Sequence, residues 1–204
     1  MVRTNYHVGM IPVRNLPQEQ PQTAIRRKSV KRPVPVDTLY MAFHICNRYH
    51  PEYYTYDMIT DVLSNGKSSR FIQSLVQEQK IFTTIDAYIS GSLDDGLLQI
   101  TGKPSQGISL QDAESAIWKE LERLKTVPVE ETELEKVKNR YESEQIFNNL
   151  NYLNVATNLA YFELIGQAED INKEVEKYRA VTAGQIQKLP DKHLFPKTAV
   201  FFII

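Results

Sequence analysis

Two runs without a formally charged side chain, Thr38–Cys46 near the start and Thr198–Ile204 at the end, constrain the fold of this chain more than any other feature. Each is dense in large apolar residues: Leu39, Tyr40, Met41, Phe43 and Ile45 in the first, Val200, Phe201, Phe202, Ile203 and Ile204 in the second. Both are far shorter than the roughly 18 apolar residues that a membrane helix requires. A short apolar run of this kind reads as a strand covered on both faces of a sheet. The first is therefore expected to be a central strand, and the second is too apolar to be an edge.

The chain between them is readable in outline. Residues 53–63 have a helical pattern that stops at Ser64-Asn65-Gly66, where glycine can take the left-handed conformation that ends a helix. A shorter helix over about 68–77 carries Phe71, Ile72, Leu75 and Val76 on one side. Residues 82–91 and 96–102 read as two strands joined in a hairpin by Asp94-Asp95-Gly96, with Gly96 supplying a positive φ. Ser109 with Asp112 resembles a capping box, and Leu110, Ala113, Ile117, Leu121 and Leu124 follow at helical spacing.

From Glu131 to Ile165 the pattern is helical throughout. A straight helix of that extent would be about 50 Å long, whereas a domain of this size has a radius of gyration of about 15 Å. A break is expected at Asn148, Asn149, Asn151 and Asn154, where the apolar phase also changes from Leu134, Val137 and Tyr141 to Leu150, Leu153, Thr157, Ala160 and Leu164. Asp170 is expected to cap a short helix carrying Ile171, Val175 and Tyr178. Thr182 with Gln185 forms a second capping box, and Pro190 should end or bend the last helix. Strands first, helices next and one strand last predict the α+β class, a mainly antiparallel sheet with helices packed on one face.

Five of the ten prolines, Pro12, Pro17, Pro21, Pro33 and Pro35, fall before residue 37, where apolar periodicity is weak. Residues 1–22 accordingly read as a linker or the tail of a preceding domain, and residues 23–204 as the folded domain. The basic run Arg26-Arg27-Lys28-Ser29-Val30-Lys31-Arg32 admits a nucleic-acid patch or an exposed edge strand defended by charge. The edge strand is preferred, since no second basic or stacking-aromatic cluster accompanies the run and the net charge of −1 gives no general attraction to nucleic acid or anionic membrane. The single Cys46 rules out an intrachain disulfide framework. Met1 is followed by no apolar signal core, and no run is long enough to span a membrane. A soluble chain is expected, with periplasm and cytoplasm both open.

Few of the residues that carry chemistry stand in a pattern that would use it. The four histidines, His7, His44, His50 and His193, stand in neither an H-x-x-E-H nor an H-E-x-x-H arrangement, the helical spacings that bring two imidazoles to one zinc. His44 and Cys46 share a strand face with His50 nearby, yet two such residues on a buried strand are ordinarily core. Gly66-Lys67-Ser68 resembles the end of a phosphate loop, but Asp61 occupies the first glycine position, and the loop follows a helix rather than a strand. Burial should raise the pKa of the Cys46 thiol and hide it. Asp94-Asp95 and Glu130-Glu131 fit a turn and a helix start.

Four segments carry a resemblance to the C-terminal, non-zinc domain of the insulinase-like (pitrilysin) zinc peptidases. Met10-Ile11-Pro12-Val13 leading through Pro17-Gln18-Glu19-Gln20-Pro21 to Arg26-Arg27 is similar to the exit from the family's zinc-bearing domain. Asp61 to Phe71 looks like its L-x-x-G-x-S-S-R-L joint, Asp95-Gly96-Leu97-Leu98-Gln99-Ile100 like its D-s-G-l strand, and Glu133 to Lys138 like its E-L-x-k-x-K helix start. The resemblance implies a metallopeptidase-like domain of the LuxS/processing-peptidase type. It implies no metal here, with zinc held in the preceding domain of the full-length protein, and two related halves closing around a peptide substrate. It also implies a homodimeric or heterodimeric partner in some members, and neither nucleic-acid binding nor a membrane span. Many members contribute an arginine and a tyrosine to substrate, and those positions fall on Leu98 and Ser105, so both are absent. On this reading the isolated chain should not hydrolyse peptides and supplies no catalytic residue. Two functions follow: a chamber-wall domain of a zinc endopeptidase, or an inactive assembly subunit like the core proteins of respiratory complexes.

Overall fold

The computed structural model describes residues 22–91, 93–194 and 199–203, with backbone alone at 191–193. Among these, five strands form one sheet in the order β1-β5-β2-β4-β3. They are β1 (Arg26–Ser29), β2 (Leu39–Ile45), β3 (Phe82–Ile89), β4 (Gly96–Pro104) and β5 (Ala199–Ile203). Every pairing is antiparallel except β1 with β5. The two apolar runs do lie side by side at the centre, with Met41 opposite both Ile100 and Phe201. The chain is α+β, as expected.

One expectation about those central strands is overturned. Burial along β2 alternates: Leu39, Met41, Phe43 and Ile45 are buried, while Tyr40 is 37% exposed and Ala42 and His44 are half-buried. Among the described residues the sheet is covered on one face only, because the helix layer packs against the side carrying Leu39, Met41, Phe43, Leu98, Ile100 and Phe201. An apolar run on a strand cannot distinguish two covered faces from one covered face opposite an open face that is itself apolar.

The helices are α1 (Tyr53–Ser64), α2 (Leu110–Thr126), α3 (Glu131–Asn148), α4 (Tyr152–Ile165), α5 (Glu174–Arg179) and α6 (Ala183–His193). Helix α1 ends where foreseen: Gly66 has φ +97°, and a Cβ there would also approach Arg140 to 2.9 Å. The expected second helix is a π-helical segment, Ile72–Glu78, in which the Gln79 N–H donates to the Ser74 carbonyl five residues back. Its Ser74 hydroxyl donates to the buried Glu120 of α2 at 2.7 Å, so the wide turn seats a polar contact inside the helix layer.

Ser109 caps α2 by accepting from the Asp112 N–H, and the Thr182–Gln185 box at α6 is complete in both directions. The long helical pattern breaks at Asn149–Asn151, and the Asn151 side chain accepts from the N–H groups of Leu153 and Asn154 to start α4. Three local readings fail. Gly96 does not take positive φ; it is needed because a Cβ would meet the Ser90 carbonyl oxygen at 2.7 Å. Asp170 lies within a 3-10 turn, Ala168–Lys173, and binds Lys173 rather than capping α5. Helix α6 runs on through Pro190 to His193, so the proline does not end the helix there; its carbonyl accepts from Leu194.

Candidate functional site

The structure disperses the residues that sequence reading weighed for chemistry. His44 lies on the open face of the sheet, opposite Leu97. Cys46 follows β2 against the core, where burial and the nearby Glu52 charge push its thiol up to about 11. His50 is exposed, and its Nδ1 accepts from the Glu52 N–H at 3.2 Å. His193 ends α6, and His7 and the string Met10–Pro21 lie outside the described residues. Among the described residues no group of three or more His, Cys, Asp or Glu is placed to hold a metal. These residues do not fit a zinc ion.

Leu98 is fully buried, in register with Phe43 on one side and Ile89 on the other. Its side chain therefore enters the helix layer. Ser105 follows β4, half-buried, and its N–H donates to the Ile81 carbonyl at 2.8 Å. The open-face neighbours of Leu98 are Leu97 and Gln99.

That open face is one of two features with functional geometry. Across it run Lys28, Phe202, Tyr40, Thr101 and Asp86 in one row and Arg26, Val200, Ala42, Gln99 and Tyr88 in the next. Tyr40 meets Phe202 edge-on, ring centroids 6.3 Å apart, and Tyr88 is 42% exposed. The surface offers aromatic faces, hydroxyls and an amide, flanked by Arg26 and Lys28 at one edge and Asp86 at the other. Alternation in β2 and β4 was the signal for it, masked because Tyr40, Ala42 and Phe202 are themselves uncharged.

The second feature is a polar cluster where α1, α3 and α5 meet, which sequence reading did not find. Arg48, after β2, forms a buried ion pair with Glu174, and its guanidinium lies 4.4 Å from the Tyr53 ring centroid and 5.1 Å from that of Tyr54. The Tyr54 hydroxyl donates to Glu174 at 3.3 Å, and the Tyr178 hydroxyl donates to Asp57 at 2.5 Å. Tyr141 of α3 stacks on Tyr178 at 3.6 Å. Burial raises the Asp57 carboxyl above its ordinary value although the Tyr178 hydroxyl and Arg48 oppose this. Burial likewise lifts Asp61, one turn on, to about 6 against the pull of the Asn65 amide. The cluster is closed and self-satisfied: it locks three helices together.

The joint after α1 explains why two of the family-like strings are spaced as they are. Arg70 of the first makes two bonds to Glu133 of the second, Nε to Oε1 at 3.0 Å and Nη2 to Oε2 at 2.9 Å. It also donates to the carbonyls of Val127 and Pro128. The open groove of about 470 Å³ beside it, lined by Ser68, Arg123, Glu130 and Lys136, is the outer surface of this joint.

The described residues form a five-stranded sheet with its helices on one side, and among them no group of His, Cys, Asp or Glu is placed to hold a metal. Residues 5–141 match the sequence profile of the Peptidase M16 inactive domain, and the chain belongs to that family. A protease from Helicobacter pylori superposes with a TM-score of 0.89 at 17% identity, over 98% of this chain and 48% of its own. The Peptidase M16 inactive domain from Pseudomonas fluorescens gives 0.64 at 15% identity, over 90% and 43%. A chain of complex III2 from Candida albicans gives 0.73 at 18%, over 89% and 45%. At these identities the likeness is one of fold, and the present chain spans about half the length of the three. No curated protein matches it. Among the described residues no helix is long and apolar enough to cross a membrane.

Proposed function

We propose that the chain is the substrate-enclosing wall of a zinc-dependent endopeptidase, with the open sheet face turned towards peptide and the metal held by a preceding domain of the full-length protein. The observation that carries this is the open face itself: Tyr40 and Tyr88 are exposed on it and Ala42, Val200 and Phe202 are only half-buried, so aromatic and apolar groups are available to a chain laid across it. Aromatic and amide groups suit an unfolded peptide of varied sequence. A companion domain is further supported by the α3–α4 corner, where Phe147, Leu150, Tyr152 and Leu153 are each at least 70% exposed. With Leu98 pointing into the core and Ser105 beyond the end of β4, neither of these two positions offers substrate a charged contact.

The test compares this chain with the full-length protein on a quenched fluorescent peptide. The chain alone should be inactive with or without zinc, and the full-length protein active and chelator-sensitive. Chelator-sensitive hydrolysis by the pure chain would sink the reading. The second reading, an inactive assembly subunit, is favoured by Leu98 and Ser105 and by the likeness to the complex III2 chain. It predicts a full-length protein without H-x-x-E-H and without activity, purifying in a stable assembly.

A further inference from the structure

The two edges of the sheet are treated differently by this chain. On the β3 edge, Ser64 at the end of α1 accepts from the Ala87 N–H at 2.9 Å and donates to the Ala87 carbonyl at 3.0 Å, so a helix closes that edge. On the other edge β1 pairs with β5 alone among the described residues, and all four of its residues are exposed. The Val30 N–H donates to the Ile203 carbonyl at 2.8 Å. By the two-residue period of a strand, the amides of Arg26 and Lys28 also face β5, and the N–H and C=O of Arg27 and Ser29 face outwards.

The side chains around this edge are one-signed. Arg27 lies on the helix side, bound through both terminal nitrogens to Glu114 at 2.6 Å and set over the Phe201 ring at 4.3 Å. Its charge is satisfied. Arg26 and Lys28 lie on the open face beside Val200 and Phe202, and Lys31 and Arg32 continue the run; among the described residues none of these four makes an ion pair. Arg26 and Lys28 are about 7 Å apart along the strand, the repeat of same-face residues on any strand laid beside them.

We propose that β1 is a docking edge for an extended acidic peptide segment, which joins the sheet as a further strand and places carboxylates at alternate positions against Arg26 and Lys28. Main-chain bonds to Arg27 and Ser29 supply the pairing, and the charge pattern supplies the selection. A second copy of this chain is excluded as the occupant, because β1 against β1 would set like charges together. The inference stands apart from the wall reading, since an inactive assembly subunit would carry the same edge.

The test is fluorescence anisotropy with the full chain and a labelled peptide containing Glu-Val-Glu-Val-Glu, its Lys-Val-Lys-Val-Lys counterpart, and a single-stranded oligonucleotide of matched charge. The acidic peptide should bind and the basic one should not. Arg26→Glu with Lys28→Glu should weaken binding at least tenfold. Ser29→Pro, which removes an outward N–H and no bond to β5, should weaken it severalfold with the cations intact. The same loss should follow N-methylation of alternate residues in the peptide, a readout that leaves the protein untouched. Failure of the acidic peptide to bind overturns the proposal. So does indifference to both N-methylation and Ser29→Pro, as does equal binding of the oligonucleotide, each of which would reduce the edge to an unspecific cationic surface.

Discussion

Removing the Glu174 carboxylate should destabilise this domain more than any surface change of the same size. Arg48 and Glu174 are 7% and 8% exposed at the side chain, and Arg48 has no second carboxylate within ion-pair reach among the described residues. Without Glu174 the guanidinium keeps Tyr53 and Tyr54 beside it but no carboxylate within ion-pair reach among the described residues. Leaving one partner of a buried pair alone typically costs about 3–5 kcal/mol. For a domain of this size each kcal/mol moves the melting temperature by about 2–4 °C, so Glu174→Ala should lower it by roughly 6–20 °C. The complementary Arg48→Met should cost less, because Glu174 retains the Tyr54 hydroxyl and Lys177 Nζ at 3.7 Å. The double variant Arg48→Met with Glu174→Ala removes both charges and should cost clearly less than the two single changes added together. Urea denaturation of the four proteins measures this directly. Additive costs, or a Glu174→Ala variant within about 1 kcal/mol of the parent, would refute the claim that the pair acts as a buried unit.

Other outcomes follow from single contacts. Arg70→Lys keeps the charge but not the fork to Glu133 or the two carbonyl contacts, and should lose about 1–2 kcal/mol by urea midpoint. Gly102→Val should cost about 1–3 kcal/mol, because a Cβ there lies 2.5 Å from the Phe82 ring. Asp61 has a folded pKa of about 6, above its unfolded value of 3.8. Its contribution to stability is thus present in full below about pH 4 and lost as pH rises through about 6. Asp61→Asn should flatten the stability curve over that interval and stabilise the domain at pH 7. Phe147→Ser with Leu150→Ser and Leu153→Ser should leave the melting temperature within about 2 °C of the parent, as expected for exposed side chains.

Local signals were legible because their causes are local. The end of α1 at Gly66, the Thr182–Gln185 box and the interruption at Asn149–Asn151 depend on backbone groups within a turn of the residue concerned. Two of the strings that resemble the family, around Arg70 and Glu133, are each local in sequence, and the fold brings them together through that pair. Gly96 and Pro190 were misread since each was assigned the commonest role of its residue type. Gly96 instead answers to the Ser90 carbonyl across the hairpin, and α6 simply continues past its proline.

Residue order alone thus settled the α+β class, the central place of the two apolar runs and the kind of peptidase domain the chain belongs to. It could not settle which faces are covered. Phe202 and Leu153 are as apolar as Phe201 and Leu121, and composition cannot tell a side chain packed under helices from one left outside them. That choice is made by where α1, α2 and α6 lie, a property of chain path. The same path brings Arg48 to Glu174 and Tyr178 to Asp57 across more than a hundred residues, creating a buried polar lock that no local spacing announces.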